Sequence, residues 1–499
     1  MTFRPKSQTV ALAAVLSVAV ILRVWLLLTH TYVLFPDETF QYLEPGYRLA
    51  FGNGIVPWEY IDGIRSWLLP GVIAGIMRVA ALVDRSPDFY VGAVRFACVL
   101  VSLIVPYVGF RLGERAGGLA GGIVAGLVGA CWYELLYFAP VVMTEPLAAH
   151  LAILALWLGE PGAVQRRPVL AGVLLGLAAC LRYQYAPALG VAALWQYRRD
   201  GAALAALCAA GIGCVAVCAG LLDWFTWGQP FQSIWFNFQR NALQHVGAAM
   251  GTEPWWFTAG YFVAAWQWLA PLLLGLAVYG AGRAPGLAIA AAVTLVLHSL
   301  SPHKELRFIY LAIAIAPLLI GTGAARLLAA AAARRGAGIG IVIPAATLAG
   351  LLLVAAEAQS ALSRATPEDA WHRGRSILQA FAVARDVPGV CGIGVRALHV
   401  FRSGGYTYLD RSVPLYFESF DTSQHLLESS FRMRIRVVLG GAVVPQPHDL
   451  DFPDFAARFN VLIGFPDSGL PGFARRQCIG TGAAGDPPMC VFVRPGGCG

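Results

Sequence analysis

Charge is scarce in this chain: 13% of its 499 residues are Asp, Glu, Lys or Arg, and 58% are hydrophobic. So little charge cannot solvate the surface of a soluble protein of this length, and a mean hydropathy of +0.64 requires several long apolar runs to sit in lipid. Zinc-site spacings are also missing. No Cys-x-x-Cys and no His-x-x-x-His occurs among the 10 cysteines and 9 histidines, so nothing supports a structural zinc. No Gly-rich phosphate loop follows a strand-like run, which argues against ATP-driven work. The net charge of +8 comes largely from arginines in short loops between apolar runs. That is the pattern of a positive-inside membrane protein and not of a nucleic-acid binder.

What is present is a series of apolar segments, and the chain reads as an all-α polytopic membrane protein. Spans are expected near 10–28, 92–110, 118–138, 146–158, 169–181, 186–197, 201–222, 261–280, 285–300, 308–323 and 338–356, about eleven in all, several shorter than the usual ~20 residues. The N-terminal run has a long core and no small-residue cleavage site after it, and is read as a retained first span. Arg4 and Lys6, Arg111 and Arg115, Arg166 and Arg167, Arg198 and Arg199, Arg283, and Arg326 with Arg334 and Arg335 mark the cytoplasmic loops. The stretch 67–83 cannot be a full span without inverting every later loop against its arginines, so it is read as a re-entrant or interfacial outer helix.

That parity puts the loops 29–91, 223–260 and 301–307 on one outer face. Asp37 and Glu38, Thr144 and Glu145, Arg182, and His303, Lys304, Glu305 and Arg307 then converge there. Ionisable groups at membrane depth are costly and mark function, and both signs meeting on one side suit an anionic lipid-linked substrate. Residues 1–358 form the membrane unit, and 359–499 a small α/β outer domain with strand-like runs at 390–395, 436–441, 459–465 and 490–494. Six cysteines lie in apolar segments. Cys391, Cys478, Cys490 and Cys498 belong to the outer domain, where an oxidising compartment would let some of them pair.

The segment FPDETFQYLEPGYRLAFGNGIVPWEYIDGIRSWLLP (35–70) resembles the first outer loop of the lipid-phosphate-mannose-dependent α-mannosyltransferases, family 22 of the GT-C superfamily. It is most similar to the GPI branch. Pro-Asp-Glu, Phe-Gln-x-x-Glu, Gly-x-Gly, Trp-Glu-Tyr and Arg-Ser follow in the family's order. TWGQPFQSIWFNFQRNALQHVGAAMGTEPWWF (226–257) and HKELRF (303–308) are further matches. The resemblance covers roughly residues 10–325 and departs at Phe35, where the N-glycan branch has His, and at Leu311, where the family usually has Pro. It implies a GT-C membrane fold and an inverting transfer of mannose from a polyprenyl-phosphate donor to a glycan or glycolipid acceptor outside the membrane. The Ala/Gly-rich composition and the absence of an endoplasmic-reticulum retrieval tail point to a bacterial inner membrane. A protein O-mannosyltransferase of the same superfamily would share the first-loop carboxylate. A flippase or transporter should show a repeat of hydropathy with broken helices, and none is found.

The chemistry needs one carboxylate to take a proton from the acceptor hydroxyl and a cationic pocket for the departing phosphate. Because the lipid phosphate carries its own charge away, the second carboxylic acid of a glycosidase is not required. The resemblance places Asp37 at the catalytic position; a helix N-cap ahead of TFQYLE is its other reading. Glu38 either serves the reaction, through a metal or the acceptor, or favours a helix start. Gln41 and Glu44 share a helical face and either line the pocket or are ordinary interfacial polar residues. Trp58, Glu59 and Tyr60 form a sugar platform or part of an aromatic belt. Arg65 meets phosphate or snorkels beside Trp67. His303, Lys304 and Arg307 are candidates for the donor phosphate or form a basic stop at the membrane edge; if the motif is helical, His303 and Arg307 lie one turn apart and clamp the phosphate, with Glu305 pointing elsewhere or restraining Lys304. Arg182 is a further phosphate candidate, and the need for a divalent metal is left open.

Overall fold

A computed structural model describes residues 5–30, 32–33, 35–160, 166–198, 201–244, 246–336, 338–362, 373–396, 398, 402–417, 456–480 and 486–498. Arg4, Arg199 and the expected strand 436–441 lie outside the described residues.

Among the described residues, six helical stretches are long and apolar enough to cross a bilayer: Lys6–Thr29, Pro87–Cys131, Ala202–Trp227, Phe257–Ala281, Leu306–Arg335 and Gly340–Ser360. The chain is a multi-pass membrane protein. Pro87–Cys131 is 45 residues long, more than twice what a 30 Å hydrocarbon layer needs, and it does not run straight. Gly117 and Gly118 leave helical geometry, with Gly118 at φ +66° and ψ −157°, a conformation open to glycine alone. The chain folds back there: a Cβ on Gly109 would lie 2.9 Å from the Ala125 carbonyl, and one on Gly113 would lie 2.2 Å from the Gly121 carbonyl. Small residues thus let the two arms of a hairpin touch backbone to backbone. The expected runs 92–110 and 118–138 are these arms.

The window of Leu306–Arg335 is 89% buried against 17% for Ala202–Trp227, so the first is the central helix of the bundle and the second is peripheral. Thr144–Gly159, Pro168–Leu181 and Pro285–Leu300 are shorter apolar helices. Leu68–Ala80 has 13 residues, about 20 Å of helix, too short to span, and Val72, Val79, Leu82 and Val83 are exposed along and beyond it. Arg23, a buried charge within the first helix, donates to Ser102 Oγ at 3.0 Å and to the Ala130 carbonyl at 2.7 Å. It thereby serves a carbonyl left open at the end of the helix ending at Cys131.

The helix Ile339–Leu362 runs past residue 358. Beyond it lie the helix Arg375–Arg385 and five strands, β1 Ile393–Val395, β2 Leu415–Phe417, β3 Val461–Gly464, β4 Ala474–Ile479 and β5 Met489–Val493, in the order β2-β1-β3-β5-β4. β1 is parallel to β2 and β3; β5 is antiparallel to β3 and β4. β2 and β4 were not anticipated. β4 reads ARRQCI and is almost wholly exposed, an edge strand whose arginines hide the β pattern. Cys391 pairs with Cys498 and Cys478 with Cys490.

Candidate active site

Where the loops meet at one end of the bundle they enclose a cleft of about 1060 Å³. Its walls come from five stretches distant in sequence: Phe35, Asp37, Gln41, Trp58, Glu59 and Arg65; Glu145; Arg182 and Tyr183; Asn237 and Asn241; and His298, His303, Glu305 and Arg307. Leu398, Arg402 and Phe465 of the sheet region complete it.

Asp37 precedes a π-helical turn, Glu38–Leu43, and makes no side-chain cap hydrogen bond. Its carboxylate instead meets Nη1 of Arg307 in an ion pair, which corrects the capping reading. The Asp37 side chain keeps 25% exposure toward the cleft. Arg307 also reaches Glu305 through Nε at 2.7 Å and Nη2 at 3.1 Å. Its guanidinium lies over the Phe35 ring at 4.7 Å and the Phe308 ring at 5.4 Å, so both charge and π faces hold it in one place. Arg182 pairs with Glu145 at 3.1 Å and lies over Phe308 at 4.9 Å. Glu145 receives the Thr144 hydroxyl at 3.2 Å, and the Thr144 and Tyr42 hydroxyls lie 2.8 Å apart, which ties the first loop to the helix Thr144–Gly159.

Glu59 is buried and accepts a hydrogen bond from Gln41 Nε2 at 2.8 Å. Burial, reinforced by the charge of Asp37, pushes its carboxyl up to about 7. Asp62, just beyond, is raised to about 7, mainly by burial, against the pull of Arg240. Trp58 lines the cleft, whereas Tyr60 turns away, donating to the Gln41 carbonyl at 2.8 Å and packing on Trp67 at 4.6 Å.

Several expected placements are corrected. Glu38 does not line the cleft; it is buried against Arg95 at 3.1 Å. Glu44 does not line it either. Because residues 38–43 wind as a π-helix, the α-helical spacing that put Gln41 and Glu44 on one face does not hold, and Glu44 points into the sheet region. Its Oε1 accepts from the Ile55 and Tyr406 amides at 2.8 and 3.0 Å, and its Oε2 from the Thr407 amide and hydroxyl at 2.8 and 2.6 Å. His303 and Arg307 do not share a helical face, because 301–305 is extended and bent and only Leu306–Ile309 forms a 3₁₀ turn. Glu305 bridges the two, 3.0 Å from His303 Nε2. Lys304 lies outside the cleft and donates to the Glu253 carbonyl at 2.8 Å and to Ser301 O, stapling two loops. His298, Tyr183 and the three sheet-region residues were missed; a histidine near the end of an apolar helix carries a faint signal, and Leu398 and Phe465 carry none. Among the described residues no group of three or more His, Cys, Asp or Glu side chains is placed to hold a metal ion.

The profile of the Alg9-like mannosyltransferase family matches residues 14–363. GPI mannosyltransferase 3 of Yarrowia lipolytica is 29% identical over 286 residues, covering 55% of each chain. GPI alpha-1,2-mannosyltransferase 3 of Homo sapiens is 26% identical over 292 residues, 55% of this chain and 51% of the human protein. The chain spans about half the length of the curated relatives it matches. In fold it is similar to ArnT from Cupriavidus metallidurans bound to undecaprenyl phosphate, with a TM-score of 0.61 and 14% identity over 98% of both chains. The Archaeoglobus fulgidus oligosaccharyltransferase is a more distant likeness, with a TM-score of 0.50 and 13% identity over 80% of this chain and 62% of that one. The match over 14–363, which takes in the first loop, the membrane-unit walls of the cleft and the central helix, makes this chain a member of the Alg9-like mannosyltransferase family.

Proposed function

We propose that the protein is an inverting glycosyltransferase that moves mannose from a polyprenyl-phosphate donor to a hydroxyl of a glycan or glycolipid, with the cleft on the non-cytoplasmic side of a bacterial inner membrane. The observation that carries the reading is Asp37: a carboxylate at the edge of the 1060 Å³ cleft, oriented by Arg307 and still open on one side. In the reaction the acceptor oxygen forms a bond to the anomeric carbon as the bond from that carbon to the phosphate oxygen breaks. The electron pair leaves with the lipid phosphate and the hydroxyl proton goes to Asp37. The guanidinium groups in the wall offset the negative charge that grows on the departing phosphate. Trp58 and Glu59 offer a ring and an acceptor to a sugar, and the wall made by Leu398, Arg402 and Phe465 suits an acceptor entering from the sheet region.

Asp37→Asn tests this. The variant keeps the shape but has no carboxylate to accept the proton, so transfer should fall by the ~10² to 10⁴ typical of such a group. Arg307 keeps Glu305, and the asparagine oxygen can still accept from its guanidinium, so the largely buried cation is not left unmatched. Labelled polyprenyl-phosphate mannose and a lipid extract of the native host would be supplied to membranes holding either protein. Near-normal transfer by the variant removes Asp37 from the mechanism, and no transfer by the wild type with any sugar donor favours a lipid-sugar carrier.

A further inference from the structure

We infer that the donor's phosphate is received by Arg65, and that its first isoprenyl unit leaves through a groove beside that residue; this rests on the lipid-phosphate donor proposed above and says where it binds. The cations expected to clamp the phosphate already face carboxylates. Arg307 is held by Asp37 and Glu305, Arg182 by Glu145, and His303 by Glu305. Arg65 differs. It lines the cleft, its Nε is buried without a partner, and its side chain has no hydrogen bond or ion pair among the described residues. Arg402, the other cation in the wall, is exposed and solvated.

Arg65 is half-buried with its Nε shut off from water; an unpartnered buried donor is costly, and an anion that fills the guanidinium fork removes the cost. Burial pulls the Arg65 pKa down, but the facing Tyr42, Glu59, Asp37 and Glu145 outweigh it and keep the group charged. These acids do not close on it, and Glu59, raised to about 7 by burial, carries less negative charge near neutral pH than an ordinary carboxylate, which lowers the repulsion an arriving phosphate meets. Phosphate geometry matches the guanidinium fork in two parallel hydrogen bonds, which an ammonium cannot reproduce.

The second observation is independent of charge. Arg65 also lines a narrow groove of about 50 Å³ whose walls include Leu68, Leu69, Leu181 and Ile234. These residues belong to the helices Leu68–Ala80, Pro168–Leu181 and Gln232–Phe238 or to the turns at their ends. Ile64, Tyr183 and Asn237 line both groove and cleft, so the two spaces meet at Arg65. An amphiphile with its phosphate at that junction has apolar wall on one side and Asp37 on the other.

The test is binding, not turnover. The purified full-length protein in nanodiscs would be titrated with undecaprenyl phosphate, geranyl phosphate, inorganic phosphate and undecaprenol. Wild type should bind undecaprenyl phosphate and discriminate against both inorganic phosphate and undecaprenol. Arg65→Ala should bind undecaprenyl phosphate about ten- to a hundredfold more weakly, the size of a charge-assisted hydrogen bond, and Arg65→Lys should fall between. Ile234→Trp, which fills the groove, should weaken undecaprenyl phosphate and geranyl phosphate alike and spare inorganic phosphate. Unchanged binding by Arg65→Ala, or by Arg65→Lys and Ile234→Trp together if the alanine variant does not fold, overturns the inference while leaving the donor class standing. Inorganic phosphate competing as well as undecaprenyl phosphate overturns the groove. A wild type that binds no polyprenyl phosphate refutes the donor class itself.

Discussion

Replacing Glu44 by Gln probes the joint between the first loop and the sheet region, at a carboxylate with no solvent exposure. Four donors converge on it: the Ile55 and Tyr406 amides on Oε1, and the Thr407 amide and hydroxyl on Oε2. A glutamine has one oxygen to offer. If its amide nitrogen takes the Oε2 place, the Thr407 hydroxyl can rotate to accept, but the Thr407 amide is left facing another N–H. The opposite orientation strands the Ile55 and Tyr406 amides. One orphaned buried N–H costs ~1–3 kcal/mol, and the remaining bonds lose their charge assistance, so the variant should lose about 2–4 kcal/mol. The loss should be local. Tyr406 and Thr407 sit in the short helix Gly405–Leu409, and their release should expose the sheet region to protease before the membrane helices unfold. Thermal unfolding in nanodiscs together with limited proteolysis would read both effects. Burial raises the Glu44 carboxyl's pKa while the four hydrogen bonds oppose it. If burial won outright, a neutral Glu44 would already present an O–H to donors, and glutamine would cost nothing. Unchanged unfolding and an unchanged cleavage pattern would therefore refute the account of a carboxylate clamp.

Glu59 supplies a pH prediction. Its carboxyl is raised from 4.5 to about 7 in the folded protein, so the folded state holds a proton that the unfolded state releases earlier; its contribution to stability is full below about 4.5 and disappears as pH rises through about 7. Wild-type unfolding temperature should fall across that window, by up to the equivalent of about 3 kcal/mol, and Glu59→Gln should flatten the slope; an equal slope in the variant would remove Glu59 as its source. Sidedness is checked with cysteines introduced at Asp84, Glu253 and Gly336. The first two should react with an impermeant reagent from outside and the third only after permeabilisation, and any other pairing would overturn the orientation drawn from the loop arginines.

The membrane class, the order of apolar segments and the convergence of charged loops were legible in the sequence because lipid imposes length and hydropathy on each segment separately, a constraint that acts within some twenty residues. The turn between the arms of Pro87–Cys131 was legible too, since Arg111 and Arg115 stand just ahead of it. The first-loop motif carried Asp37, Gln41, Trp58, Glu59 and Arg65 to one cleft. The partner of each charge was not legible. Asp37 with Arg307, Glu145 with Arg182 and Glu44 with Thr407 join residues tens to hundreds of positions apart, and pairing depends on which helices pack, which side-chain type alone does not encode. A single π-helical turn at 38–43 separated Gln41 from Glu44, and an extended 301–305 set Glu305 between His303 and Arg307. The residue types that the proposed reaction needs were therefore determined locally, by sequence. Which cation is neutralised and which is left open to an anion was decided only when the tertiary structure brought distant carboxylates to Arg307 and Arg182 and none into contact with Arg65, because Coulomb energy depends on distance in space and not on distance along the chain.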